Sequence, residues 1–415
     1  MHVSRPLSRR GFVAGASAAL ALPYLVPQSA FGANAKVVTG HIGVGGQGKG
    51  NLGKFIENCA AVCDVDKTRV AAAQKQVAAK DGKAEGYGDF RKLLERKDID
   101  AVVISTPDHW HALPTVRACE AGKHVYCEKP LTLTIAEGRA MVTAARKHKC
   151  IVQTGSQQRS DAKFRQACEL VRAGALGKLQ TIEVGLPKCN HPGDPGPDGD
   201  PPPELDYDFW LGPAPYRPYN AKRVHYNFRF WWDYSGGQMT NFGAHHLDIA
   251  QWGMGTDDTG PVAVEGEGRF HAQKWFEVAE WFKVKYTYAS GVTVFAGQDY
   301  KGGTTFIGSK GRIFVTRGKI AGDPEELLKP PTGSEAVRLY ESANHHKNWL
   351  DCIASGKLPI CDVEIGHRSA TVCHLGNIAV RLGRKLAWDP AAERIVGDDE
   401  AQAMTSRPYR APWKL

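Results

Sequence analysis

The chain has 415 residues, of which 42% are hydrophobic and 23% charged. That balance excludes a disordered or collagen-like polypeptide, and at roughly 150 residues per domain the length predicts about two or three domains. Lys and Arg number 53 against 44 Asp and Glu, a net charge of +9 with no dense basic run, which argues against nucleic acid as a partner.

Residues 1–32 hold Arg5, Arg9 and Arg10 and no acid. Ser8-Arg9-Arg10-Gly11-Phe12-Val13 precedes an apolar stretch to Val26, and Ala30-Phe31-Gly32-Ala33 closes it with small residues. This is the pattern of a cleaved twin-arginine (Tat) signal peptide, so the mature chain is expected in the periplasm or otherwise exported. The apolar run from Gly11 to Val26 falls short of the ~20 residues that span a bilayer. It also carries Pro23, so no stable membrane anchor is expected after cleavage. None of the ten cysteines forms a CxxC pair or a CxxC-plus-His cluster, so no metal site is expected, and no disulfide pair is singled out.

Residues 36–155 alternate β-branched runs with helical patterns. Strands are predicted over Val37–Ile42, Ala60–Cys63, Ala101–Ile104, His124–Cys127 and Ile151–Thr154. Helices are predicted over Lys67–Ala79, Phe90–Leu94, Ala112–Ala121 and Ile135–Lys147, with another over Phe164–Arg172. Such alternation implies right-handed crossovers and a doubly wound parallel sheet. Residues 190–235 are a loop-rich insertion dense in Pro, Gly and Asp at its start. Residues 262–316 then alternate apolar and polar positions, and Gly308-Ser309-Lys310-Gly311 reads as a hairpin turn, which together predict an antiparallel sheet. Two helices follow, over Ala343–Ala354 and Ile365–Leu382, and residues 386–415 are expected to form an extended tail.

Gly43-Val44-Gly45-Gly46-Gln47-Gly48 follows the first strand and opens a helix. Gly43 permits the tight turn, Gly45 lets the backbone approach a pyrophosphate, and Gly48 lets helix and strand pack closely. Asp64 ends the second strand 21 residues after Gly43, where a carboxylate can accept both ribose hydroxyls. This favours NAD over NADP, although Lys67 and Arg69 lie close by.

After the third of these predicted strands comes Ser105-Thr106-Pro107-Asp108-His109-Trp110-His111, and then Glu120–Leu131 with Glu128-Lys129-Pro130 at its end. With the glycine loop, these motifs resemble the Gfo/Idh/MocA superfamily of NAD(P)-dependent sugar oxidoreductases, and look most like its exported subgroup with a Tat leader. The resemblance spans nearly the whole mature chain. It implies an α/β Rossmann domain over 36–155, followed over 156–385 by a substrate-binding and oligomerisation α/β domain with a large open, mainly antiparallel sheet. That sheet usually packs between subunits, so a homo-oligomer is expected. The resemblance also implies that Thr106, Pro107, His109, His111 and Glu128 serve the cofactor site with Gly43, Gly45, Gly46, Gln47, Gly48 and Asp64, and that Lys129 lies beside the nicotinamide and the reacting hydroxyl.

Within Gly236–Asp248, His245 takes the position of the family's catalytic histidine, a general base toward the hydroxyl. Asn241 falls where many family dehydrogenases carry an aspartate. An amide can position a hydroxyl but cannot take a proton, so strict analogy to the inositol dehydrogenases breaks down there. Asp248 could share the helix face of His245, and Arg159 starts the second domain near the cleft, which makes both candidates for substrate contact. The aromatic and basic run Tyr226–Trp232 suits either a carbohydrate or a core strand.

Three readings follow. The first is an NAD-dependent oxidoreductase for a sugar or polyol whose cofactor stays bound and is recycled in place, because free nicotinamide nucleotides are not expected outside the cytoplasm. The second is an NAD-dependent glycoside hydrolase working by oxidation, elimination, hydration and reduction. The third is a non-enzymatic dinucleotide-binding protein.

Overall fold

The computed structural model describes residues 36–329 and 337–415, and the expected signal peptide lies outside them. The N-terminal half is a six-stranded sheet, parallel throughout. Its strands are β1 (Thr39–Ile42), β2 (Cys59–Cys63), β3 (Glu85–Tyr87), β4 (Ala101–Ile104), β5 (His124–Cys127) and β6 (Val152–Thr154). They lie in the order β3-β2-β1-β4-β5-β6, so the chain reverses direction across the sheet between β1 and β4. Helices α1 (Gly46–Lys54), α2 (Lys67–Ala78), α3 (Phe90–Leu94), α4 (Ala112–Glu120) and α5 (Ile135–Lys147) connect them. Their starts are chemically marked. Asp66 and Asp89 cap α2 and α3, and Thr134 and Glu137 form a reciprocal capping box at α5. β3 escaped the sequence analysis because it is a three-residue edge strand, largely exposed, with Gly86 at its centre.

The strand ladder continues just past the carboxyl ends. Gly43 N–H donates to the Cys63 carbonyl, Ser105 N–H to Ile42, Glu128 N–H to Ile104 and Gly155 N–H to Cys127, at 2.8–2.9 Å. The turns after β1, β4, β5 and β6 are therefore held in a row along one rim, the edge at which open α/β sheets bind ligands.

The C-terminal half begins with α6 (Ala162–Arg172) and β7 (Leu179–Gly185). The insertion carries α7 (Tyr207–Leu211) and leads to α8 (Gly237–Asn241) and α9 (Gly243–Met254). Strands β8 (Ala263–Arg269), β9 (Trp281–Thr287), β10 (Thr293–Gly297), β11 (Gly303–Gly308), β12 (Gly311–Thr316) and β13 (Lys319–Asp323) follow. Then come α10 (His345–Ser355), α11 (Val363–Leu382), β14 (Leu386–Asp389), β15 (Arg394–Val396) and α12 (Asp399–Ala403). Nine strands make one sheet in the order β13-β12-β11-β7-β10-β9-β8-β14-β15, antiparallel except for the β7–β10 pair. Along β9, Phe282, Val284 and Tyr286 are buried, in one core cluster with residues of α6, α9 and α11, while the intervening Lys283 and Lys285 point away.

Two expectations change here. The tail assigned to 386–415 contributes β14 and β15 to the sheet and then α12, so an extended segment begins only after Met404. The insertion, expected as loop, has its own apolar cluster of Leu205, Tyr207, Trp210, Leu211, Val224, Phe230 and Tyr234. It is pinned beside Asp64, since Lys67 N–H donates to the Glu204 carbonyl and Asp206 N–H to that of Val65. The terminal segment fastens it from outside. Arg410 binds the Gly212 carbonyl and Asp208, and the Trp413 ring meets Trp110 edge-on at 4.9 Å. All ten cysteines are free thiols, with only Cys189 less than fully buried.

Candidate active site

A cleft of about 600 Å³ lies along the rim, walled by the glycine loop, the turns after β4 and β5, the insertion and the start of α9. Of the expected cofactor residues, Gly43, Gly45, Gly46, Gln47, Asp64, Thr106, Pro107, His111, Glu128 and Lys129 all line it. Gly43 sits at φ +80°, and a Cβ there would press on the Ser105 and Thr106 backbone at 2.8 Å, so only glycine fits. Gly48 does not line the cleft. A Cβ on it would meet the Gly43 carbonyl oxygen at 2.0 Å, so its work is the close packing of α1 on the loop.

Asp64 closes the loop from below, with one carboxylate oxygen accepting Val44 N–H at 2.9 Å and the other Asp66 N–H at 3.1 Å. Burial raises its pKa, opposed by Arg69 and by these two amides. The Arg69 guanidinium lies directly over Gly45, where a Cβ would reach its Nη1 at 2.0 Å. A cradle that only glycine backbone can form, a carboxylate behind it and a guanidinium above it fit a dinucleotide: ribose hydroxyls on Asp64, phosphates against the α1 N-terminus and Arg69.

Asn51, which the sequence analysis missed, ties the rim together. Its amide donates to Ser105 Oγ and to Glu128 Oε1, both at 2.9 Å, and Gln47 donates to the same Glu128 oxygen at 3.2 Å. The second Glu128 oxygen accepts Lys129 N–H at 3.2 Å. The available signal was a polar residue one turn after Gln47 on a helix beside a core strand. His111 sits between two carbonyls, Pro130 O at 2.7 Å and Thr106 O at 2.9 Å, so both ring nitrogens must donate. Its pKa rises to about 10: burial opposes the charge, and Cys127, Asp108 and the Pro130 carbonyl outweigh it.

Lys129 and His245 reach this cleft from the two halves of the protein. The Lys129 ammonium donates to Asn241 Oδ1 at 2.9 Å and to the Asn241 carbonyl at 3.2 Å. Burial lowers its pKa, reinforced by Arg229 and Arg317 and opposed by Glu128 and Asp108. His245 is 4% exposed, and its Nδ1 is buried without a partner among the described residues, which leaves Nε2 as the nitrogen open to the cleft. Burial holds its pKa well below the usual value, with Lys129 and Arg317 adding to the effect, so the imidazole is neutral at pH 7. The arrangement sets an ammonium that can stabilise an alkoxide beside a neutral base that can take its proton. Arg317, on the turn between β12 and β13, also lines the cleft, and nothing local in the sequence marks it.

Besides Gly48, three expected site residues lie elsewhere. His109 is 1% exposed and does not line the cleft. Its Nε2 meets the Trp210 carbonyl at 3.0 Å, so it joins the β4 turn to the insertion. Arg159 and Asp248 face each other rather than a substrate. Arg159 Nε and Nη2 contact the Asp248 carboxylate at 2.8–3.0 Å, and Asp257 and Ser369 complete the group. With 1% and 0% side-chain exposure, the pair is sealed in the interior, where the Arg159 guanidinium draws the Asp248 carboxylate away from the cleft that His245 lines. His246 is likewise internal, its Nδ1 3.2 Å from Thr304 Oγ1.

Away from the cleft, His191, His271 and Glu280 bring potential metal-ligand atoms within 4.8 Å of one another, a group the sequence analysis did not single out. Both histidine Nδ1 atoms accept backbone N–H bonds, from Gly193 and Gln273, which places the ring protons on Nε2 toward Glu280. That is a hydrogen-bonded arrangement, the reverse of the tautomer in which a metal-bound Nε2 needs a protonated Nδ1.

Comparison with known proteins agrees with this architecture. The Gfo/Idh/MocA profile described as an oxidoreductase-family NAD-binding Rossmann fold matches residues 38–156, and the one described as an oxidoreductase-family C-terminal alpha/beta domain matches residues 197–415. Inositol 2-dehydrogenase of Salmonella typhimurium is 32% identical over 145 residues, which cover 34% of this chain and only 42% of that protein. The scyllo-inositol 2-dehydrogenase (NAD(+)) of Bacillus subtilis is 25% identical over 361 residues, covering 81% of this chain and 93% of its own. Among solved structures, the aldose-aldose oxidoreductase from Caulobacter crescentus complexed with glycerol aligns with a TM-score of 0.64 at 23% identity, over 85% of this chain and all of that one.

Proposed function

Because the chain belongs to the Gfo/Idh/MocA oxidoreductase family, whose N-terminal domain is NAD-binding, we propose that it oxidises a hydroxyl of a sugar or polyol with NAD. The observation that carries this reading is the meeting of Lys129 and His245 in the cleft that the glycine loop opens. NAD, when bound, supplies the hydride acceptor. Asp64 accepts the ribose hydroxyls, and the glycine loop with Arg69 carries the phosphates. Lys129 holds the substrate oxygen and stabilises the charge that develops there, while neutral His245 removes the hydroxyl proton at Nε2. Asn241 orients the ammonium through its side-chain and main-chain oxygens and carries no proton itself.

The Arg9-Arg10 leader supports export of the folded chain with its cofactor in place, recycled by reducing a second substrate in the same cleft. No helix among the described residues is long and apolar enough to cross a membrane. Pairing of copies through the nine-stranded sheet belongs to the same reading. The amide at 241 favours one second reading, redox-neutral cleavage of a glycoside at the same site.

The test is to supply the purified protein, with and without added NAD, with a panel of sugars, polyols and aryl glycosides. Formation of NADH, or redox exchange between two sugars, supports the oxidoreductase reading. Release of aglycone without net NADH moves the assignment to the hydrolase, and neither reaction across the panel overturns both.

A further inference from the structure

The cleft contains more positive charge than its own carboxylates answer. Lys129, Arg229 and Arg317 all line it, and none makes an ion pair with any described residue. The three acids along the same walls are already engaged. Asp64 accepts two backbone amides, and Glu128 accepts Asn51, Gln47 and Lys129 N–H. Asp108 accepts the Ser235 hydroxyl at 2.6 Å. Arg229 stands out. Its guanidinium lies 3.6 Å from the centre of the Tyr226 ring and 5.3 Å from that of Phe228, while Nε and Nη1 are shielded and have no hydrogen-bond partner among the described residues. A guanidinium held flat against an aromatic ring with no protein acceptor costs stability, and such a cost is retained where a ligand repays it.

The position of these charges separates them from the phosphate end. Arg69 already covers the glycine loop. Arg229 and Arg317 instead both act on the Lys129 ammonium. Arg317 is steadied by donating from Nε to Gln158 Oε1 at 3.2 Å, with its carbon 5.8 Å from the Phe242 ring centre, which leaves its terminal nitrogens available to the cleft.

We propose that Arg229 and Arg317 form an anion-binding subsite flanking Lys129, and that the substrate is an acidic sugar, one whose ring or chain carries a carboxylate. This deepens the oxidoreductase reading and rests on it for the identity of the cleft. A planar carboxylate matches guanidinium geometry best, and a sulfate or phosphate ester offers the same kind of oxygen acceptor.

Binding, rather than turnover, tests it. Titration calorimetry on NAD-loaded protein compares a uronate and an aldonate with the parent neutral sugar, the uronate methyl ester, a sugar sulfate and a sugar phosphate. The acid is expected to bind about ten-fold or more tighter than its methyl ester, the scale of one charge-assisted contact. Arg229→Met and Arg317→Met are each expected to abolish that preference while keeping NAD. Preference for the sulfate or phosphate over the carboxylate, lost in the same variants, keeps the anion subsite and overturns the carboxylate assignment. Equal binding of acid and ester, no binding by any member of the panel, or loss of NAD from Arg229→Met overturns the subsite. Because no hydride transfer is involved, acid-selective binding in a protein that forms no NADH would separate failure of the redox reading from failure of this one.

Discussion

Along α9, His245 and Asp248 are three residues apart, yet they belong to regions built on opposite rules. Behind the helix the charges are answered: Asp248 accepts from Arg159 and Ser369, and Arg159 also donates to Asp257. In front of it, Lys129, Arg229 and Arg317 have no carboxylate partner among the described residues, and His245 has a buried nitrogen without a bond to any of them. Paired interior charge ties α9 to Arg159 before α6 and to Ser369 on α11. Unpaired charge in a cleft is available to a ligand. Burial or polarity by itself does not separate the two roles; the state of the partners does.

The largest effect is expected at Lys129. Lys129→Ala is expected to keep NAD and the thermal midpoint while losing on the order of 10²–10⁴-fold in turnover, the usual contribution of a positioned acid–base group. Unchanged turnover would remove this lysine from the chemistry. The opposite signature is expected behind the helix. Arg159→Met strands Asp248 in the interior and should cost on the order of 3–5 kcal/mol of stability, read by chemical denaturation. A stable variant with a specific defect in substrate affinity would return Arg159 to the substrate site.

Gly48→Ala probes the packing of α1 on the loop. With a Cβ driven toward the Gly43 carbonyl, it should lose about 1–3 kcal/mol and weaken NAD binding together. Loss of NAD affinity alone would mean that the position faces the cofactor after all.

Titration sharpens the same contrast. Burial drives the pKa of His41, His109, His345 and His374 down to about 3. The unfolded chain binds protons at these residues once pH falls below 6.5 while the folded chain does not, so stability is full above 6.5 and should fall steadily from there toward 3. In the cleft, the depressed pKa of His245 keeps the base free below pH 6.5, and that of Lys129 brings the alkaline limb of kcat/KM below 10.5. The smallest effect is expected from Asn241→Asp. A carboxylate beside the ammonium should raise the Lys129 pKa and move that alkaline limb upward, and a limb that does not move would separate Asn241 from Lys129.

Much of this was legible in the chain. The parallel sheet, the glycine loop with Asp64 and the Glu128-Lys129-Pro130 turn announce themselves because strand periodicity and the backbone demands of a turn are local. What failed was non-local. His109 and Asp248 sit one residue or one helical step from cleft residues, and which way each points is set by Trp210 and Arg159, some 90 to 100 positions away. Arg317 and Asn51 carry no local mark, since one reaches in from a hairpin turn and the other is a polar residue on a short helix. The strands β14 and β15 read as tail in the sequence because strands of four and three residues offer little alternation.

Hydride transfer under the joint control of Lys129 and His245 is the proposal on which the rest stands. Absorbance of NADH, followed as NAD-loaded protein meets a panel of acidic and neutral sugars, tests it directly. Wild-type protein should show reduction of its NAD by at least one member, and neither Lys129→Ala nor His245→Ala should. Reduction that persists at the wild-type rate in both variants would contradict the mechanism.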